Sequence, residues 1–211
     1  MGPTEAFETQ TDRYEEWFEE NEPTYRSEVR ALDRFVSTEA FGLEIGIGTG
    51  RFAEPLDIDV GIDPAPEMLE HAVDRDRWVV QGVAEWLPFR DDVFDVALIV
   101  TTICFVDDIE RTLEEAGRVL HEDGHLVMGY IDRESEYGRH YQAIKDENPF
   151  YRDATFVSTD ELLDDLADLG YGDVDIVQTV FGSPGDHDTV DEPRPGYGDG
   201  SFVALSARAP K

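Results

Sequence analysis

Cysteine is nearly absent: Cys104 stands alone among 211 residues, which excludes an internal disulfide. Lysine is almost as scarce, at Lys145 and Lys211 only, so arginine supplies nearly all the positive charge. Its planar fork favours defined ion pairs over a diffuse cationic surface. No basic stripe is visible. Without clustered Lys and Arg a groove cannot displace the counterions of a polyanion, so nucleic acid is not an expected partner. Long apolar runs are missing too. The longest, Val96 to Val106, is interrupted by Thr101 and Thr102 and is too short to span a bilayer. The N-terminus carries acids where a signal peptide would place basic and then apolar residues. Clustered His/Cys spacing is lacking as well, so no metal is expected. These absences together predict a soluble cytoplasmic protein with no membrane partner.

Negative charge, by contrast, is abundant. Seventeen Lys and Arg against 49 Asp and Glu leave a formal charge of −32, and the acids are spread along the whole chain. The acidity therefore belongs to a folded surface and not to a tail. The balance resembles that of salt-accumulating halophiles, with an ordinary acidic mesophile protein as the other reading. In molar salt the Debye length shrinks to roughly 3 Å and screens the self-repulsion, so stability and activity are expected to need high salt.

The length suits one α/β domain. Leu43-Glu44-Ile45-Gly46-Ile47-Gly48-Thr49-Gly50 ends an apolar run with an acid and then places glycine at every second position. A strand that must turn sharply beneath a nucleotide cofactor needs residues without Cβ at that turn. About one βα unit later, Asp63 closes a second apolar stretch, where an acid can chelate a ribose diol. Between Arg13 and Phe35 apolar residues recur at helical spacing, and Asn21-Glu22-Pro23 splits them into two predicted helices. Strands are expected at 41–45, 60–62, 78–81, 96–101 and 125–131, with helices at 51–56, 66–73, 107–120 and 158–169. A turn around Glu122-Asp123-Gly124 is expected to stop the third of these helices. The stretch 132–157, charged and aromatic but poorly periodic, reads as an insertion over the strand ends. Two strands at 175–181 and 201–207 follow without an intervening helix, a pairing uncharacteristic of nicotinamide-binding domains.

Four segments in order resemble the class I S-adenosylmethionine-dependent methyltransferases, and within them the small-molecule branch similar to ubiquinone/menaquinone methyltransferases. They are the Leu43–Gly50 loop, Gly61 to Leu69, Gly82 to Phe89 with Phe94-Asp95-Val96-Ala97, and Arg118-Val119-Leu120 with Asp123 to Leu126. The resemblance implies a Rossmann-like fold: a mostly parallel, seven-stranded sheet with a C-terminal antiparallel pair and helices on both faces. It divides the single domain 1–211 into an N-terminal helical lid (1–37), a cofactor-binding core (38–131), a substrate-side insertion (132–157) and a C-terminal helix and strand pair (158–211).

The same resemblance implies S-adenosylmethionine as cofactor, with S-adenosylhomocysteine as product. Glu44 and the backbone at Gly46, Gly48 and Gly50 would face its methionine end. Asp63 would accept the ribose hydroxyls, Pro64 and Met68 would pack on adenine, and Ala84 or Glu85 would read the adenine edge. Thr101 would lie below the methionine moiety. Val83 stands where many relatives have Asp, and Cys104 near where they often have His, so no catalytic base is identified.

The implied reaction is in-line methyl transfer to a small-molecule acceptor, in which alignment supplies most of the catalysis. Acceptor-facing candidates are Arg133, Tyr137, His140, Tyr141, Lys145 and Tyr151, with Arg133, His140 or Lys145 available to hold an anionic or carbonyl group. Tyr14, Trp17 and Tyr25 could close over the cofactor or simply pack on the sheet. Two rival readings stand beside the enzyme: a non-catalytic binder of the same cofactor, and a nicotinamide oxidoreductase. The latter expects glycine where Arg51 stands. The acceptor and the oligomeric state are not legible.

Overall fold

In a computed structural model, which describes residues 3–185 and 187–210, the five parallel strands are β1 (Gly42–Ile45), β2 (Val60–Asp63), β3 (Trp78–Gln81), β4 (Phe94–Val100) and β5 (Leu120–Ile131). They are joined at one side by β8 (Phe202–Arg208), β6 (Gly172–Thr179) and the two-residue β7 (Arg194–Pro195), in the order β3-β2-β1-β4-β5-β8-β6-β7. Eight strands are therefore present, one more than expected, because the Gly/Pro-rich loop after β6 returns to pair Arg194 with Gln178 and Pro195 with Val177. β8 runs antiparallel to both β5 and β6. Order reverses between β1 and β4, and in open α/β sheets the crevice at such a switch point is where ligands bind.

Both central strands are covered on two faces. All of β1 is buried, as is β4 apart from Asp95, which explains their apolar runs without alternation. Leu43, Ile45, Ala97 and Ile99 point to one core, with α5 (Ile109–Val119) and α7 (Thr159–Asp168). Val96, Leu98 and Val100 point to the other, with α3 (Glu22–Leu32) and α4 (Pro66–Asp74). The split at Asn21 is as read, with α2 (Thr11–Glu20) before it; a further helix, α1 (Pro3–Thr9), precedes these two. The Ser158 hydroxyl and the Glu161 carboxylate form a reciprocal capping box on α7.

Three local expectations are corrected. Residues 51–57 form turns, not a helix: Glu54 bonds Gly50 O, but Pro55 has no N–H to offer and Ile58 N reaches back to Ala53 O instead. The turn at 122–124 is a long bulge inside β5, where the register jumps from Phe94↔Leu120 to Val96↔His125. The aperiodic stretch 132–157 contains α6 (Glu136–Ile144), capped by Ser135 Oγ accepting from Gly138 N at 2.9 Å. A Cβ at Gly138 would meet Asp132 O at 2.1 Å, so a poor helix former sits in the first turn because the chain has no room for a better one. No helix among the described residues is long and apolar enough to cross a membrane.

Candidate functional site

At the carboxyl end of β1 the chain doubles back so tightly that the N–H groups of Gly46 and Ile47 both donate to Ile62 O, at 2.7 and 3.0 Å. Gly46 has φ +77°, and a Cβ there would fall 2.3 Å from Thr102. The next glycine is different. A Cβ on Gly48 would have nothing nearer than Tyr14 Oη at 3.8 Å, so the backbone there faces open space. Asp63 closes β2 beside it, Oδ2 accepting from Gly48 N and Oδ1 from Ala65 N, each at 2.9 Å. Burial raises the Asp63 carboxyl despite these two donors.

That open space is a cavity of about 720 Å³, in the size range of small-molecule sites. Gly46, Gly48, Asp63, Pro64, Met68, Ala84, Glu85 and Thr101 line it, together with Tyr137, Tyr141 and Tyr151 from the far side. Glu85 is partly committed, because its Oε1 accepts from Asp107 N at 2.8 Å. Thr101 holds φ +49°, an uncommon conformation for a residue with a branched Cβ, and its N–H donates to Gly129 O at 2.7 Å. Cys104 also lines the wall, its thiol pushed up to about 12 by burial and therefore a poor nucleophile.

Two of the glycine-loop residues do not reach the wall. Gly50 packs on α4, where a Cβ would meet Ala72 at 3.3 Å. Glu44 is buried behind the lining; burial raises its carboxyl well above the ordinary range, only partly offset by the backbone N–H of Ala53. Its Oε2 has no hydrogen-bond partner among the described residues. An orphan carboxyl oxygen, an open glycine backbone and a buried aspartate make a set of acceptors suited to an adenosyl ligand with a diol at one end and a cation at the other.

Of the polar acceptor-side candidates, none of the cations reaches the cavity. Arg133 pairs with Glu134 and Glu161, Lys145 Nζ donates to Ala154 O at 2.7 Å, and His140 packs its ring near Tyr141. Tyr14 and Trp17 of α2 line the cavity, whereas Tyr25 donates to Arg51 O at 2.5 Å. The sequence reading overlooked Phe7, Phe105, Phe150 and above all Glu28, all of which line it. A signal for Glu28 existed: it lies three residues after Tyr25 and four before Leu32, an acid inside the apolar stripe of α3.

A glycine turn and an acid at the switch point of a doubly wound sheet define a Rossmann-like nucleotide-cofactor fold, here with an antiparallel strand beside β5. The Methyltransferase domain family matches residues 43–128. An S-adenosylmethionine-dependent methyltransferase of Thermotoga maritima, described as a possible histamine N-methyltransferase, is 43% identical, with 98% of this chain and 99% of that one covered and a TM-score of 0.94. An uncharacterized protein of Methanocaldococcus jannaschii is 42% identical over 202 residues, 96% of this chain and 98% of its own length. A methyltransferase from Archaeoglobus fulgidus, 19% identical over 79% of this chain and 85% of its own, shares the fold with a TM-score of 0.61. The chain belongs to the S-adenosylmethionine-dependent methyltransferases, and its cofactor is S-adenosylmethionine.

Proposed function

We propose that the protein methylates a small-molecule acceptor enclosed in this cavity, with the cofactor along the Gly46–Asp63 edge and the acceptor among the rings of α6 and the loop after it. The observation that carries this reading is the continuity of one cavity from Asp63 to Tyr141 and Tyr151. When bound, S-adenosylmethionine would supply an electrophilic methyl group, which an acceptor lone pair would take as the C–S bond's electron pair stayed on sulfur. The chain's own work is to hold and enclose. Gly46 and Gly48 let the backbone approach, Glu44 offers its unpartnered carboxyl oxygen behind the methionine end, Asp63 accepts from the ribose hydroxyls, and Pro64, Met68, Ala84 and Glu85 border the adenine. Thr101 lies beneath the methionine moiety. Tyr14 and Trp17 of α2 act as a cover that excludes water.

On the acceptor side Tyr137 and Tyr141 shape the site. Arg133, His140 and Lys145, being engaged elsewhere, are assigned no contact with the acceptor. The likeness to ubiquinone/menaquinone methyltransferases fits an apolar acceptor surrounded by rings, and the charge of −32 fits work in a salt-rich cytoplasm. The test is calorimetry in molar KCl with S-adenosylmethionine, S-adenosylhomocysteine and NAD, beside Asp63→Ala. Saturable binding of the two sulfur ligands, lost in the variant, is expected; binding of NAD alone, or of nothing, overturns the reading.

A further inference from the structure

The acceptor end of the cavity holds one ionisable group that enclosure alone does not explain. Glu28 is 4% exposed and lines the cavity, and its carboxyl has no hydrogen bond or ion pair among the described residues. Burial alone pushes it up to about 8, with no donor or cation drawing it back. Around it stand rings. Tyr141 and Tyr151 stack with centroids 4.6 Å apart, Phe156 lies 5.8 Å from Tyr151, and all three rings line the same cavity as Glu28. Arg13, the one cation on the cavity lining among the described residues, is occupied elsewhere: its guanidinium lies over the Phe150 ring at 5.7 Å and donates to Gln10.

A buried carboxyl without a partner is costly in the free protein, and the missing partner is a cation or a strong donor. Ring faces carry negative charge and attract the same kind of group. Resting on the methyltransferase reading above, we propose that the acceptor is an amine with an apolar or aromatic body, whose nitrogen binds Glu28 beside the Tyr141, Tyr151 and Phe156 rings. Such an amine arrives as an ammonium ion, and its lone pair is free only after one proton has left. The bound cation favours the ionised form of Glu28, which releases its own proton to solvent as the ammonium docks; the resulting carboxylate then takes one proton from nitrogen, so that ammonium and carboxylate become neutral amine and carboxylic acid. Acidic acceptors are disfavoured by the same site, which offers a buried anion no cation to pair with.

The test uses the full chain with saturating S-adenosylhomocysteine and two pairs of probes in calorimetry: phenethylamine against 2-phenylethanol, and hexylamine against 1-hexanol. Each amine is expected to bind roughly tenfold or more tightly than its alcohol, the scale of one charge-assisted hydrogen bond. Glu28→Gln should erase that preference while S-adenosylhomocysteine still binds, and Glu28→Asp, which keeps the carboxylate, should retain it. Amines that bind no better than the alcohols, amines that do not bind, or a preference unchanged in Glu28→Gln each overturn the proposal. Should a variant fail to hold S-adenosylhomocysteine, the wild-type preference decides by itself. Loss of S-adenosylhomocysteine binding in the wild type would instead bring down the methyltransferase reading, and this acceptor site with it.

Discussion

Individual carboxyls in this protein are held on opposite sides of their ordinary pKa, and the direction tells what each does. Glu115 is nearly buried, yet Arg118 hydrogen bonds to it, Leu87 N donates to it and Arg111 pairs with it, so its carboxyl lies below the ordinary range. A depressed carboxyl stabilises the fold above its unfolded value and loses that contribution as pH falls through the folded value. Glu115→Gln is therefore expected to lower the melting temperature at pH 7, with the gap to wild type closing below about pH 4; thermal melts over that range check it. Glu28 has the opposite sign. Its contribution is fully present below about 4.5 and is lost as pH rises toward about 8, while Tyr14, Tyr141 and Tyr151 around it are raised by burial and stay protonated. The melting temperature of Glu28→Gln should consequently fall less steeply than that of wild type between pH 5 and pH 8. Gly46→Ala belongs to the same scale. A methyl group 2.3 Å from Thr102, on a backbone at φ +77°, is expected to cost about 1–3 kcal/mol in denaturant titrations.

At the scale of elements, what matters is how the helices outside the sheet are fastened. α2 is pinned by one carboxylate: Glu15 Oε2 meets Arg51 at 2.6 Å and Arg75 at 2.6 Å, and Arg75 in turn donates to Thr49 O at 2.7 Å. The three side chains are mostly shielded, so this network is worth more than an exposed pair. Glu15→Ala leaves two arginines facing each other and should speed proteolysis within residues 3–21, with protection partly restored by S-adenosylhomocysteine if α2 covers the cofactor. α7 is fixed differently, through its N-terminal box. Ser158→Ala should cost about 1 kcal/mol of stability with little effect on cofactor binding, because α7 packs against the other face of the sheet.

Over the whole molecule the governing quantity is the charge of −32. Arginines are drawn into pairs such as Arg118 with Asp91 and Glu115, or Arg208 with Asp173, while 49 acids against 17 Lys and Arg leave most of the acids in excess, and among the described residues most acids lie at the surface. Raising ionic strength from 0.1 to 1 M shortens the Debye length from roughly 10 to 3 Å, which removes repulsion between exposed acids and leaves short pairs largely intact. The melting temperature is expected to rise steadily with KCl over that range and to reach the same plateau in NaCl; a flat or falling curve would reject the halophilic reading.

Local pattern determined a good deal of this protein. Glycine at alternate positions after a buried strand, an acid at the end of the next strand and the apolar runs of 43–45 and 96–100 each express a requirement met within a few residues: no Cβ at the turn, a carboxylate at the strand end, burial on both faces. They located the Gly48–Asp63 edge. At the acceptor end Tyr137, Tyr141 and Tyr151 were legible as candidates, but Glu28 was not: it comes from α3, far in the chain from α6 and the loop after it, no local spacing relates them, and tertiary structure alone brought it to them. It also separated the cavity residues from their neighbours, turning Lys145 to Ala154 and Arg133 to Glu161, because a cation's partner is whichever acceptor the folded chain brings within reach. α6 escaped notice for the same reason: its first turn depends on a glycine whose necessity comes from Asp132, across a turn that exists only once the chain has folded.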